Sequence, residues 1–233
     1  MIKELLNTHV KIYDDALTNN EITELDQALI LLSSNALHEL DSLFLLVNNN
    51  KIHGTYSLCR NILEKFIYLR FILEKDSLDR ARDFTLSNFK LKLRIYEKTT
   101  ALYKGISPVY SPEEIKEMKS KYKNKKFRAS KDRNKWYVVK GVNSISELFR
   151  NYNEDKYGYY YMKYSGEIHS IDSISKFFEM NKSKKSNKQH DNSEVVYVAL
   201  EAFSDILNLL VEHYDLGDKF TSFKIPNAYT IKV

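Results

Sequence analysis

The sequence predicts an all-α fold, a bundle of long antiparallel helices with a basic, partly irregular insertion. Two observations carry this. The 233 residues include only 6 Gly and 3 Pro, too few turn-makers for a many-stranded sheet. Apolar residues also recur at three- and four-residue spacing over long stretches bounded by helix start and stop signals.

The first helix reads as residues 3–17, with Ile2, Leu5, Leu6, Val10, Ile12, Tyr13 and Leu17 forming its apolar stripe and Asn19 and Asn20 breaking it. Thr23, with Asp26 three residues on, forms the capping start of a second helix that runs to about Val47 and ends in Asn48, Asn49 and Asn50. At about 1.5 Å per residue it is on the order of 35 to 40 Å long. A third helix spans His53 to Glu74. A fourth runs from Ser77 to about Tyr103, entered through Asp76 and Asp79, whose charge suits the helix dipole. Short links make helices two to four antiparallel neighbours. Gly105 to Pro112 is a loop, and Ser111 caps a short helix beginning at Pro112 that dissolves near Asn124. Trp136 to Val139 reads as a short strand or a docking loop. Ser144 with Glu147 makes a capping box for a helix to about Tyr152, and Asp155 opens another to about Ser170. Asn181 to Asn192 is a polar, Lys-rich loop. The last long helix covers Glu194 to Tyr214 and ends near Gly217. The expected organisation is one helical domain over 1–233, with a basic insertion at 105–140 and an extended C-terminal tail at 215–233.

Composition narrows the function classes. Cys59 is the single cysteine, so neither an internal disulfide nor a thiolate metal cluster can form, which fits a reducing cytoplasm. The N-terminus lacks a basic cap followed by an apolar run, and the stretch Ala28 to Val47 is interrupted by Ser33, His38, Glu39 and Asp41; neither a secretory signal nor a membrane span is expected. The formal net charge of +5 is unevenly spread: residues 116–140 hold eleven Lys or Arg against two acidic residues. Concentrated charge of one sign points to a partner of the other.

Three constellations could carry chemistry. Arg60 and Glu64 stand one turn apart among Leu58, Cys59, Ile62 and Leu63, either as a solvated surface pair or as an inward pair needing partners from another helix. Tyr161, Ser165 and His169 follow at four-residue spacing on one helix face, a general acid/base set or a core histidine with its satisfied neighbours. Six tyrosines crowd this region, at 152, 157, 159, 160, 161 and 164. The third is the basic segment, where Lys121, Lys123, Lys125, Lys126, Arg128 and Arg133 are interleaved with Tyr122, Phe127, Trp136 and Tyr137. Cations neutralise phosphates and rings stack on bases, so the mixture suits RNA or other single strands, while an exposed lysine loop is the plain alternative. Self-repulsion in this segment predicts that 119–135 is mobile or projects. No phosphate-binding Gly loop, His-Glu-x-x-His, Gly-x-Ser-x-Gly or EF-hand loop is present, and no metal or cofactor is expected.

Three stretches, taken in order, resemble the domain of unknown function 5677 family, an α-helical group of bacteria and their phages. They are Arg60-Asn-Ile-Leu-Glu64, Arg80-Ala-Arg82-Asp-Phe84, and Trp136 followed by Ser144-Ile-Ser-Glu-Leu-Phe149 and Tyr161-x3-Ser165-x3-His169. The resemblance covers about residues 25 to 210 and implies a site where the Arg/Glu helix meets the Ser/His helix. Such proteins also look like distant relatives of HEPN domains, many of which are metal-independent ribonucleases of toxins and phage defence. Their Arg followed four to six residues later by His is missing here; Arg150, for one, has no such His. Arg60 and His169 would have to meet across helices to rebuild it.

Two functions follow as expectations. The first is a helical protein of defence or stress type that interacts with RNA or other nucleic acid, with Arg60, Glu64, Tyr161, Ser165 and His169 as a ribonuclease-like site. The second is a non-catalytic module that binds a protein partner or its own copy as a homodimer, in which those residues hold helices in register.

Overall fold

The computed structural model describes residues 2–18, 20–49, 51, 54–102, 111–122, 124–132, 135–168 and 193–220. Eight helices occur among them: α1 (Ile2–Leu17), α2 (Glu24–Asn48), α3 (Thr55–Glu74), α4 (Ser77–Leu102), α5 (Pro112–Tyr122), α6 (Ile145–Asn151), α7 (Asp155–Ile168) and α8 (Ser193–His213). The fold is all-α, as the composition predicts. Trp136 to Val139 is not a strand: only an isolated bridge, Val139 to Val142, forms there. The expected loops and tail at 105–110, 181–192 and 221–233 lie outside the described residues.

Side-chain caps start the helices where the sequence places them. Asp26 Oδ2 accepts from the Thr23 amide at 2.8 Å, and Thr23 Oγ1 accepts from the Asp26 amide at 3.2 Å. Ser111 and Glu114 exchange the same pair of bonds, at 2.7 and 3.2 Å. Ser144 Oγ accepts from the Glu147 amide at 3.2 Å. Each cap satisfies amides that a helix start leaves without intrahelical partners. Helix α8 ends at His213, within a residue of the expected Tyr214, but its capping residue is not the glycine. Asp215, at φ 53°, takes the left-handed position, and the Leu216 amide reaches back to the Val211 carbonyl at 2.9 Å, so the helix closes before Gly217. Asn153 does the same for α6, at φ 56°, with the Glu154 amide on the Phe149 carbonyl at 2.8 Å. Asn and Asp tolerate this backbone region better than most residues.

Two compact units are found within the chain. The first comprises Met1–Ile22, Leu29–Arg70 and Ser144–Val233. Its central helix is α8, which buries Val195, Val196, Val198, Ala199, Leu200, Ala202, Phe203, Ser204, Ile206, Leu207 and Leu210 and so is apolar around most of its circumference. Helix α1 lies along it: His9 meets Phe203, and further along Tyr13 meets Tyr214, so the two run in the same direction. Helix α7 runs antiparallel to α8, with Tyr157 bonded to Asp205 at 2.6 Å and Lys163 to Glu194 at 2.6 Å. Gly158 lets α6 close on α7, since a Cβ there would sit 3.1 Å from that of Phe149. By length and composition α2 could cross a membrane; here its apolar face, with Leu29, Leu32, Ala36, Leu40 and Leu43, is buried.

The second unit comprises Thr23–Ala28 and Phe71–Asn143 and so contains the segment expected as an insertion. Its hub is the Arg80–Phe84 stretch of α4. Arg80, 2% exposed, stacks on the Phe71 ring at 3.9 Å, donates to the Phe71 carbonyl and pairs with Glu74 at 3.0 Å. Arg82 pairs with Glu24. Phe84 and Phe71 both pack edge-on against buried Trp136. Asp83, 1% exposed, accepts from three successive amides, Arg128, Ala129 and Ser130, at 2.7, 2.8 and 3.0 Å. Within the stretch expected to be mobile or to project, the 128–130 backbone is tied to this carboxylate while Lys125, Lys126 and Arg128 stay exposed; a buried carboxylate without partners would be costly.

The first unit also hides a histidine that the sequence reading passes over. His9 Nε2 and Tyr13 Oη both meet Ser33 Oγ at 2.9 Å, and Ser33 Oγ donates to the Leu29 carbonyl at 2.8 Å. Burial, then nearby His38, lowers the His9 pKa from 6.5 to about 4. The folded state thus holds a neutral imidazole that the unfolded chain protonates sooner. This contribution is fully present above about pH 6.5 and is lost as the pH falls towards 4, at about 1.4 kcal/mol per pH unit. Urea unfolding should therefore show the stability advantage of the wild type over His9→Gln shrinking by about 1 to 2 kcal/mol between pH 6.5 and 5. An advantage constant across that window would refute a buried neutral His9.

Candidate functional site

Antiparallel packing of α3 on α7 brings two four-residue spacings face to face. Tyr56 meets Tyr164, Phe66 meets Tyr157, and Arg70 pairs with Glu154 at 2.8 Å, so the contacts step down α3 as they step up α7. Between them sit Arg60 and Glu64 opposite Tyr161 and Ser165. Arg60 Nε donates to Ser165 Oγ at 2.8 Å, and its Nη2 donates to Tyr161 Oη at 2.6 Å and to Glu64 Oε1 at 2.7 Å. Tyr161 Oη donates in turn to Glu64 Oε1 at 3.0 Å. The guanidinium also lies over the Tyr161 ring, 4.7 Å from its centre. The inward reading of the Arg60/Glu64 pair is the one the structure adopts.

Three of the four side chains are partly open to water. Arg60 and Glu64 keep 24% and 20% of their side-chain surface, while Tyr161 is buried and packs on Phe149. Burial, then the Glu64 carboxylate, push the Tyr161 phenol up to about 12 against the pull of Arg60. At neutral pH Tyr161 is therefore a proton donor and not a base. Ser165 Oγ spends its own proton on the Tyr161 carbonyl at 2.7 Å. Among the described residues no imidazole or carboxylate is bonded to that hydroxyl to activate it. His169, the fifth candidate, lies outside the described residues.

Two neighbouring clusters escape sequence reading because their partners are distant in the chain. Tyr157 holds Asp205, and burial raises the pKa values of both above their ordinary values. Cys59 is fully buried, and burial raises its thiol well above the usual range, so it is chemically quiet. The tyrosine cluster divides: Tyr157, Tyr161 and Tyr164 are core, whereas Tyr159 is exposed. A shallow cleft of about 100 Å³ between α6 and α7, lined by Ser146, Phe149, Arg150, Asp155, Gly158, Tyr159 and Met162, is smaller than the several hundred Å³ of usual ligand pockets.

The basic candidates belong to the second unit. Lys125, Lys126 and Arg128 are exposed, with Arg128 Nη1 3.1 Å from Asp79. Lys121 lies in the last turn of α5, and Lys123 and Arg133 lie outside the described residues. The aromatic residues among them are engaged within the unit. Tyr122 stacks on Phe89 at 4.1 Å and 7°, Phe127 lies under Lys90 at 4.5 Å, and Trp136 is buried. The expectation that Trp136 offers a stacking surface is thus corrected: the ring is spent on Phe71 and Phe84.

These features define an all-α protein whose partly open polar cluster joins two helices and whose second unit exposes Lys125, Lys126 and Arg128. The chain belongs to the family of unknown function DUF5677, whose sequence profile matches residues 26–187. No curated protein and no solved structure matches it.

The quartet gives a graded prediction. Arg60→Ala leaves Glu64 and the Ser165 hydroxyl without their cation and should cost about 2 kcal/mol in urea unfolding, allowing for partial solvation. Tyr161→Phe leaves the Arg60–Glu64 pair intact and should cost about 1 kcal/mol. Equal losses, or none, would show that the four residues do not act as a connected lock.

Proposed function

We propose that the protein binds nucleic acid through its phosphates, using the basic surface of the second unit. One observation carries the reading: Thr23–Ala28 and Phe71–Asn143 hold 19 Lys or Arg against 11 Asp or Glu, a formal net of +8, while the rest of the chain is −3. A charge excess confined to one unit attracts polyanions in a way that an even spread does not. The quartet is then a lock that holds α3 and α7 in register, which its closed ring of bonds favours.

Fluorescence anisotropy with labelled oligonucleotides tests the binding. Affinity should fall steeply between 50 and 200 mM salt, as expected for counterion release. Reversing two exposed charges, Lys125→Glu with Lys126→Glu, should weaken binding at least about tenfold and flatten the log–log salt slope by about 1.5, at about 0.7 to 0.9 per phosphate contact. Affinity indifferent to salt, or unchanged in the double variant, would refute the reading.

A second reading keeps the quartet as an RNA-cleaving site completed by His169, of the defence or stress type that the HEPN likeness suggests. It is favoured by the solvent access left to Arg60 and Glu64. His169→Ala should then abolish RNA cleavage while thermal stability stays near that of the wild type. Cleavage that survives the substitution would rule out this chemistry.

A further inference from the structure

The use the second unit makes of its own aromatic rings bears on the form of nucleic acid it would take. Single strands are held mainly by bases stacking on available rings, each worth on the order of 1 to 3 kcal/mol, with cations tracking the backbone. A double helix keeps its bases stacked on one another and offers proteins a regular array of phosphates. A surface for single strands needs open rings, whereas one for a duplex needs cations at fixed positions.

Among the described aromatic residues of the unit, Phe71, Phe84 and Trp136 are buried, Phe89, Tyr96 and Tyr122 pack against Leu93, Ile115 and Met118, and Phe127 and Tyr137 are half-buried. Phe71, Phe84 and Trp136 form a buried edge-on trio, with ring centres 5.6 and 5.2 Å from that of Trp136. Phe89 and Tyr122 stack on each other, and lysines sit over both: Lys92 is 5.6 Å from the Phe89 centre and Lys125 is 5.5 Å from that of Tyr122. Phe127 is covered by Lys90, and Tyr137 stands edge-on to Trp136. Three of these rings, Phe89, Tyr122 and Phe127, already carry a lysine over one face.

The cations also sit on an ordered frame. Three amides of the Arg128–Ser130 stretch are tied to the buried Asp83 carboxylate, and that carboxylate is fixed to the helix whose next residue, Phe84, packs on Trp136. A carboxylate gripped by three amides resembles the way backbone nests hold anions, with the protein supplying the anion itself. The backbone at Arg128 is thereby held before any ligand arrives, and the Lys125 amide is bonded to the Tyr122 carbonyl at 3.2 Å, so less of the loop has to be ordered on binding.

We infer that the ligand of this surface is double-stranded, gripped along its phosphate backbone without base contacts, with Asp83 as the residue that positions the loop. The inference rests on the nucleic-acid reading above and adds the form of the ligand to it.

The full-length protein would be titrated against a labelled 20-base-pair RNA duplex, the corresponding DNA duplex, and the single strands of each, at one salt concentration. The expected result is at least about tenfold tighter binding of a duplex than of its own strands, with the RNA and DNA arms showing which helix fits better. Single strands bound as tightly as duplexes, or tighter, would overturn the inference and leave the nucleic-acid reading standing. Binding of none of the four would remove both. Asp83→Asn, which offers an amide where the loop requires a carboxylate, should weaken duplex binding by about three- to tenfold and leave single-strand binding nearly unchanged. A folded Asp83→Asn protein with wild-type duplex affinity would overturn the role of the preset loop.

Discussion

The guanidinium of Arg60 is the constraint on which the first unit turns. Half-sunk between α3 and α7, it must find acceptors, and it finds three: Glu64 on its own helix and Tyr161 and Ser165 on the next. Apolar packing alone is nondirectional and would let two such helices slide by a turn at modest cost. A slide of α7 by one turn would take Tyr161 and Ser165 away from Arg60 together. The same logic recurs elsewhere in the unit, where His9 meets Ser33, Lys65 meets Glu39 at 3.0 Å, and Tyr157 meets Asp205. Each long helix is thus tied by at least one polar contact to a neighbour with which it also shares an apolar face.

The second unit solves a different problem. It has fewer buried aliphatic residues and many cations, so beside a small apolar cluster of Leu93, Ile115 and Met118 its order comes from aromatic contacts and from one carboxylate. Arg80 on Phe71, Phe84 against Trp136, and Asp83 under the 128–130 amides are neighbours in sequence and share one turn of α4. That single turn connects the end of α3, the irregular segment and, through the Arg82–Glu24 pair, the first turn of α2.

Helices were legible wherever a cap or a stop sat in the sequence. Thr23, Ser111 and Ser144 announce their helices because a hydroxyl followed three residues later by a carboxylate can do little else locally. The end of α8 is legible to within a residue, but the left-handed cap position is taken by Asp215 and not by Gly217. The quartet was half legible: four-residue spacing put Arg60 with Glu64 and Tyr161 with Ser165, but that the two pairs face each other depends on how α3 and α7 pack, which no local pattern encodes. The His9–Ser33 bond, formed between residues 24 apart, carries no local signal. Asp83 was visible as part of a motif, yet its three amide partners lie 45 to 47 residues away and present no side-chain chemistry to read. Trp136 misled for the opposite reason, since composition cannot tell a ring offered to a ligand from one that packs internally.

The burial of Cys59 has a practical corollary. A thiol sealed in the core, and held protonated there, will not react with maleimides or spin labels under native conditions. The chain therefore behaves as a cysteine-free protein towards such reagents. A cysteine placed at a solvent-facing site such as Lys126 would be its single reactive handle, so one spectroscopic reporter could be put on the basic loop without first stripping the protein of its native sulfur.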